Sequence, residues 1–244
     1  MEDYSVIELG PEDTFRFACD PEVPCFNACG CDVVQYLTPY DILRLKTNLG
    51  LLSGEFLDRY TIHYTGQGTG LEVVTLKRSA ADQQRQCPFA ADKGCGVYQD
   101  RPSSCRVYPL ARVASRNRET GRITERYLLL KEPHCRGFDR GAPRTVSRWV
   151  EDQGLAPYNE ANDRLMELIS AKNRLLPGKT LDLVSKKIFY TGCYDLDRFK
   201  TEVFDKGDLE GLETDDATLA AAASDDTALL TVSLAWVKKM LFPS

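Results

Sequence analysis

Short apolar runs separated by polar turns mark the first half of the chain, and helical periodicity marks the second. Residues 14–18 read as an extended segment. Thr38-Pro39-Tyr40-Asp41 predicts a helix start, with Thr38 as N-cap, Pro39 at the first helical position and Asp41 complementing the dipole. Ile42, Leu43 and Leu45 supply its apolar face, and Asn48-Leu49-Gly50 ends it. Ser53-Gly54-Glu55 opens another short helix through Tyr60. TIHYT at 61–65 and LEVVTLK at 71–77 flank GQGTG and predict a β-hairpin; RITERYLLL at 122–130 reads as a further strand.

Beyond residue 140 the period changes. Thr145 is placed to cap a helix ending at Gly154. From Tyr158, apolar residues at Leu165, Met166, Leu168, Ile169 and Leu175-Leu176 follow helical spacing until Pro177-Gly178. Thr180 predicts the cap of a helix through Phe189, and residues 195–204 form a short helical candidate. The acidic segment 205–226 reads as a solvated face, and residues 227–242 as an amphipathic helix that docks on the body. No internal repeat is visible. The pattern predicts an α+β fold in two parts. Residues 1–140 form a Cys-rich metal-binding body with a small β-hairpin or sheet, and residues 141–244 form a mainly helical region packed on it.

Composition narrows the function classes. The chain has 244 residues, 43% hydrophobic and 27% charged. That is globular in kind and long enough for a core that needs no covalent staples. A net charge of −5 disfavours a surface built for nucleic acid. The acidic start MEDYSVIELGPED lacks a signal-peptide pattern, and no apolar run approaches ~18 residues. The expectation is a cytoplasmic protein with no membrane association, whose partner or substrate is another protein.

Nine cysteines stand against two histidines. Cys19, Cys25, Cys29 and Cys31 form one group, Cys87, Cys95 and Cys105 a second, and Cys135 follows. Only Cys193 lies outside. In a reducing compartment such clustering points to metal binding or catalysis rather than disulfides. Several thiolates together select zinc, Cu(I) or an iron–sulfur cluster over magnesium or calcium. The spacings C-x5-C-x3-C-x-C and C-x7-C-x9-C match neither the paired C-x2-C zinc ribbon nor the ferredoxin run. The eight ligand candidates must therefore converge from separate loops, as one site or two. Prolines 88, 102 and 109 stiffen those loops; Arg101 and Arg106 are placed to offset thiolate charge, and Tyr98 and Tyr108 to shield it.

The ordered motifs resemble one family. Leu37-Thr38-Pro39-Tyr40-Asp41-Ile42-Leu43-Arg44-Leu45 is followed by Cys87-Pro88-Phe89 and Cys95-Gly96-Val97-Tyr98. Arg101-Pro102-Ser103-Ser104-Cys105-Arg106-Val107-Tyr108-Pro109 and Cys135-Arg136-Gly137 complete the set. Over about residues 15–140 this resembles the zinc- or iron-chelating cysteine-cluster (YkgJ-like) family. The family usually has adjacent cysteines in the first group, where Gly30 here separates Cys29 from Cys31. The resemblance implies a metal centre on Cys19, Cys25, Cys29, Cys31, Cys87, Cys95, Cys105 and Cys135, holding an iron–sulfur cluster (of the 4Fe-4S kind among others) or Zn2+. The family includes a flagellin lysine N-methylase, so redox or lysine-methylation-like modification of a protein is one expected activity. A zinc-stabilised interaction module and a metal storage or delivery protein are the alternatives.

Other signals carry less. His134 and His63 read as surface or packing residues. Gly178-Lys179-Thr180 lacks the phosphate-loop glycine, since Asn173 stands in its place. The arginine-rich run 101–126 reads as a solvated face with charge balance for thiolates. No Ser-His-Asp or paired-carboxylate set is present, so no catalytic residue is assigned.

Overall fold

The structure, a computed structural model, describes residues 5–28, 34–78, 87–117, 120–138, 140–209, 211–212 and 214–243. Strands β1 Ser5–Leu9, β2 Thr14–Arg16 and β3 Tyr36–Leu37 lead into helices α1 Pro39–Asn48 and α2 Ser53–Tyr60. Strands β4 Thr61–Thr65, β5 Glu72–Leu76, β6 Ala90–Ala91 and β7 Gly94–Cys95 follow. Helix α3 Ser103–Val107 precedes β8 Leu110–Arg116, β9 Ile123–Lys131 and β10 Pro143–Thr145. The remainder is helical: α4 Val146–Asp152, α5 Ala156–Leu175, α6 Leu183–Cys193, α7 Leu196–Phe199, α8 Asp216–Ala222 and α9 Asp226–Leu241. The fold is thus α+β, with small sheets and a helical C-terminal part. Among the described residues no helix is long and apolar enough to cross a membrane.

The chain gathers into two units. The first comprises residues 1–33, 79–98 and 103–157; the second comprises 34–78, 99–102 and 158–244.

The first unit is built on the antiparallel sheet β1-β9-β8. Leu129 pairs with both Ile7 and Leu110, and with Tyr127 two residues before it forms the buried face of β9. Tyr127 and Leu129 meet Phe15, Phe17, Leu110, Val146 and Trp149 there. A second ladder pairs β10 with β2, setting Arg144 opposite Phe15. Thr145 caps α4 as the sequence predicts, its hydroxyl accepting the Arg148 N–H at 3.1 Å. The helix carries Trp149 into the core, where its indole N–H donates to the Val107 carbonyl at 3.0 Å.

The second unit sets helices against the sheet β3-β5-β4. The predicted hairpin is present, with His63 opposite Val74. Thr38 and Asp41 form a reciprocal cap on α1: the Thr38 N–H donates to Asp41 at 2.9 Å, and the Asp41 N–H to the Thr38 hydroxyl at 3.4 Å. Helix α9 buries Leu229, Leu230, Val232, Leu234, Trp236 and Val237. It packs on α6 at Gly192, where an added Cβ would stand 2.2 Å from Val237 Cγ2. Only glycine admits that approach.

Three local expectations change. Asp182, not Thr180, caps α6: its carboxylate accepts the Ser185 N–H at 2.8 Å, and that bond holds the Asp182 carboxyl below its usual range. The acidic segment is not wholly a solvated face, because Asp215 caps α8 and the buried Ala222 lies on that helix. Strands β1 and β8 lie where mixed polar and apolar residues hid the alternation.

Candidate metal centre

Phe17 organises the cysteine-bearing loops of the first unit. Its ring packs against Tyr108, Phe138 and Trp149 at centroid distances of 5.5, 5.3 and 5.9 Å. The chain leaving Phe17 is tied to the turn after Cys135 by a hydrogen bond from the Ala18 N–H to the Gly137 carbonyl, at 3.1 Å. A Cβ on Gly137 would lie 2.6 Å from the Ala18 carbonyl oxygen and 2.7 Å from Phe17 Cε2. This approach brings Cys19 within electrostatic range of Cys135.

Cys25 joins the same place. Its sulfur accepts the Arg136 backbone N–H at 3.1 Å. Burial pushes the Cys19 thiol up, and the neighbouring Cys25, Cys135 and Asp20 add to the rise. Clustered thiols resist ionising together unless a cation neutralises them; a bound metal ion reverses that preference.

Cys87 and Cys95 form a second neighbourhood. Cys95 lies on β7, opposite Ala90 of β6, and the Cys87 carbonyl accepts the Ala90 N–H at 3.0 Å. Burial pushes the Cys87 thiol up, the Phe89 amide opposes this, and Cys95 adds to it. The β6–β7 hairpin sits against the first group's loop: the Asn27 amide donates to the Ala91 carbonyl at 3.0 Å. Cys105 is exposed on α3. Cys29 and Cys31 lie outside the described residues. Among the described residues no three Cys, His, Asp or Glu side chains close on one point as a finished metal shell. Cys19, Cys25 and Cys135 influence one another electrostatically without forming such a shell.

The donor chemistry fits a soft ion: separate loops deliver thiols, and a backbone N–H already points at one sulfur. Glu132, which the sequence reading passed over, is also here. Its carbonyl accepts the Cys135 N–H at 3.0 Å, and its carboxylate accepts the Tyr108 hydroxyl at 3.0 Å. The signal for it is the three-residue turn spacing before Cys135. Burial pushes the Tyr108 phenol far up, with Cys135 and Glu132 adding to the rise, so it keeps its proton. His134 is an exposed neighbour, its Nε2 3.7 Å from Glu132. Cys193 is 1% exposed in α6, a core thiol.

Three arginines of the 101–126 run have partners in the fold. Arg106, largely buried, donates to the Gln153 carbonyl at 2.7 Å. Arg112 pairs with Glu125 at 2.6 Å and Arg126 with Glu8 at 3.1 Å, across sheet neighbours. In the second unit the predicted motif helix has its own task. Arg44 Nε and Asn48 Nδ2 both donate to Asp100, each at 2.8 Å. That grip fixes the Gln99–Pro102 segment.

Gly137→Ala should separate Cys135 from Cys19. We expect about 2 kcal/mol of destabilisation from overpacking and weaker metal uptake, read together by thermal melts with and without added zinc. An unchanged melt and unchanged uptake would show that the close approach at Gly137 does not set the thiol spacing.

The model of the family described as "Putative zinc- or iron-chelating domain" matches residues 18–136. No curated protein and no solved structure matches the chain. The matched span contains the Phe17-anchored thiols and the β6–β7 hairpin, so residues 18–136 match the zinc- or iron-chelating cysteine-cluster family, and that match supports metal binding by this chain.

Proposed function

We propose that the first unit binds its metal through the thiolates of Cys19, Cys25 and Cys135, with further ligands drawn from Cys29, Cys31, Cys87, Cys95 and Cys105. The observation that carries this reading is the Arg136 N–H donating to Cys25 Sγ at 3.1 Å, which ties the Cys25 loop to the turn of Cys135, 110 positions on. An iron–sulfur centre there would serve electron transfer, and through it modification of a protein side chain. A protein is the favoured partner over nucleic acid, because the net charge is −5 and Arg112 and Arg126 are engaged by carboxylates. A reducing compartment such as the cytoplasm would keep the thiols available.

A specific observation also favours a structural zinc. The first unit's core cluster has seven buried residues, and the 19–28 and 132–138 loops carry turns rather than ladders. Metal binding in such a unit contributes folding energy outright. Anaerobic purification, metal and acid-labile sulfide analysis and a visible spectrum separate the two. Stoichiometric iron with sulfide and a visible charge-transfer band establishes the redox centre. Stoichiometric zinc without colour, whose chelation unfolds the first unit, establishes the structural one. Protein that takes up neither metal overturns both.

A further inference from the structure

The link between α5 and α6 carries apolar side chains left in water. Leu183 is 86% exposed and Val184 70%, as the first two residues of α6, and Leu175 is 44% exposed at the end of α5. Single exposed apolar residues are ordinary; three brought to one inter-helix link form a patch. From Asn173 to Val184 only Leu176 and Leu181 are withdrawn from solvent. An added Cβ on Gly178 would meet nothing within 4 Å. The link is a protruding tip with no groove in it.

The tip is held from beneath. Leu181 is buried, and its N–H donates to the Gly70 carbonyl at 3.4 Å. A Cβ on Gly70, whose φ is +67°, would lie 2.5 Å from the Lys179 carbonyl oxygen and 3.2 Å from Nζ of the buried Lys172. Glycine there lets the 66–70 turn close on the link. Asp182 caps α6 and fixes where Leu183 begins. Packed backbone, not a frayed end, presents Leu183 and Val184 to solvent.

Charge and shape select the occupant. Arg174 and Lys179 are exposed beside the apolar residues and form no ion pair among the described residues. Lys187, also exposed, lies one turn behind Leu183 and Val184 on α6. The one carboxylate between residues 173 and 187 is Asp182, which is spent on the Ser185 amide. Adjacent helical residues diverge by about 100° around the axis. One narrow protein pocket therefore does not take Leu183 and Val184 together, whereas an apolar layer without fixed shape does.

We propose that the α5–α6 tip docks on an anionic lipid surface. Leu175, Leu183 and Val184 enter the boundary between headgroups and acyl chains, and Arg174, Lys179 and Lys187 meet the lipid anions. Such a contact lies on the membrane and needs no spanning helix. It departs from the expectation of no membrane association, which rested on the missing apolar run, and it is independent of the metal-centre reading.

The test mixes the full chain with vesicles of phosphatidylcholine alone, or of equal parts phosphatidylcholine and phosphatidylserine, and reads the bound fraction by sedimentation. The mixed vesicles should bind it and added salt should weaken the binding; phosphatidylcholine alone should bind little. Leu183→Glu and Val184→Glu should each bind at least about tenfold more weakly, and Lys179→Ala about fivefold more weakly, all at the parent melting temperature. Met240→Glu places the same charge at another apolar side chain, 49% exposed on α9, and should bind as the parent does. Full binding by Leu183→Glu and Val184→Glu, or equal weakening in Met240→Glu, overturns the proposal. So does failure of the mixed vesicles to bind the parent. If a synthetic amphipathic peptide of Glu and Leu then binds, and Leu183→Glu removes that binding, the tip docks an acidic protein instead.

Discussion

Cys135→Ala should leave the purified protein with less than stoichiometric metal, and Cys25→Ala should do the same. Cys135 lies within electrostatic range of Cys19, on a turn whose Glu132 carboxylate accepts the Tyr108 hydroxyl; Cys25 takes the Arg136 N–H. Removing an outer hydrogen-bond partner of a metal ligand typically costs about 10–100-fold in affinity, so removal of a ligand itself should cost more. Each further tenfold lost corresponds to roughly 1.4 kcal/mol of folding free energy when the metal is in excess. The first unit should melt earlier in both variants, and added zinc should restore little of the loss. Cys193→Ala is the matched control. Its thiol is buried in α6, where burial alone pushes it far up, and the change should cost only about 1 kcal/mol while full metal occupancy persists. Metal analysis and thermal melts read both quantities. Full occupancy in Cys25→Ala and Cys135→Ala would defeat the ligand assignment.

The second large effect lies in the other unit. Lys46 is 6% exposed on α1, and its ammonium stands 2.8 Å from Asp226 and 3.1 Å from Asp197. Asp197 also accepts the Ser53 N–H at 2.6 Å, while the Ser53 hydroxyl donates to Asp195 at 2.6 Å. Burial alone would lower the Lys46 ammonium, but the Asp226 and Asp197 carboxylates outweigh it and raise the pKa. Burial alone would raise the Asp197 carboxyl, but the Ser53 amide and Lys46 outweigh it and lower the pKa. Lys46→Ala removes the cation from two partly buried carboxylates. The cost should be about 3 kcal/mol, near the low end for breaking a buried pair, because the Ser53 amide and solvent still reach them. For a chain of this size that is roughly 6–12 °C in melting temperature.

The same site sets a pH signature. With a lowered folded-state pKa, Asp197 contributes stability that is present above the ordinary carboxylate range and is lost as pH falls through the lowered value. With a raised one, Lys46 contributes stability that is present below the ordinary lysine range and is lost only in stronger alkali. In Lys46→Ala the Asp197 carboxyl should move back up, so acid destabilisation should begin at a higher pH than in the parent. Denaturant melts across the acid range measure this; superimposable acid limbs would show that Lys46 does not hold Asp197 down.

Much of the local structure was legible along the chain because its causes are local. Thr38, Pro39 and Asp41 specify the start of α1 through a cap that spans four residues. TIHYT and EVVTL pair as read because alternation and a glycine turn set a register without distant help. Thr145 caps α4 for the same reason. The α6 start was misplaced by two residues because Thr180 and Asp182 are both good caps, and the buried Leu181 between them is satisfied by tertiary packing. Strand β8 was missed because LARVASR has little alternation of its own; its strand state comes from Tyr127 and Leu129 in the neighbouring β9.

At the metal centre the division is similar. The chain by itself determined the chemistry: nine cysteines against two histidines make a soft thiolate donor set, and the ordered C-P-F, C-x-V-Y and R-P-x-x-C-R-x-Y-P motifs assign residues 18–136 to their family. Donor identity is a property of side chains, and it survives without coordinates. Only the tertiary structure decided who neighbours whom. Cys19 and Cys135 are 116 positions apart, and their loops come together because Phe17 packs on Tyr108 and Phe138 while Gly137 admits the Ala18 carbonyl. It also showed that the motif helix α1 spends Arg44 on Asp100 and Lys46 on Asp197 and Asp226, in a unit shared with the C-terminal helices. Such long-range pairings are selected by shape and burial across the whole chain, and no short sequence pattern encodes them.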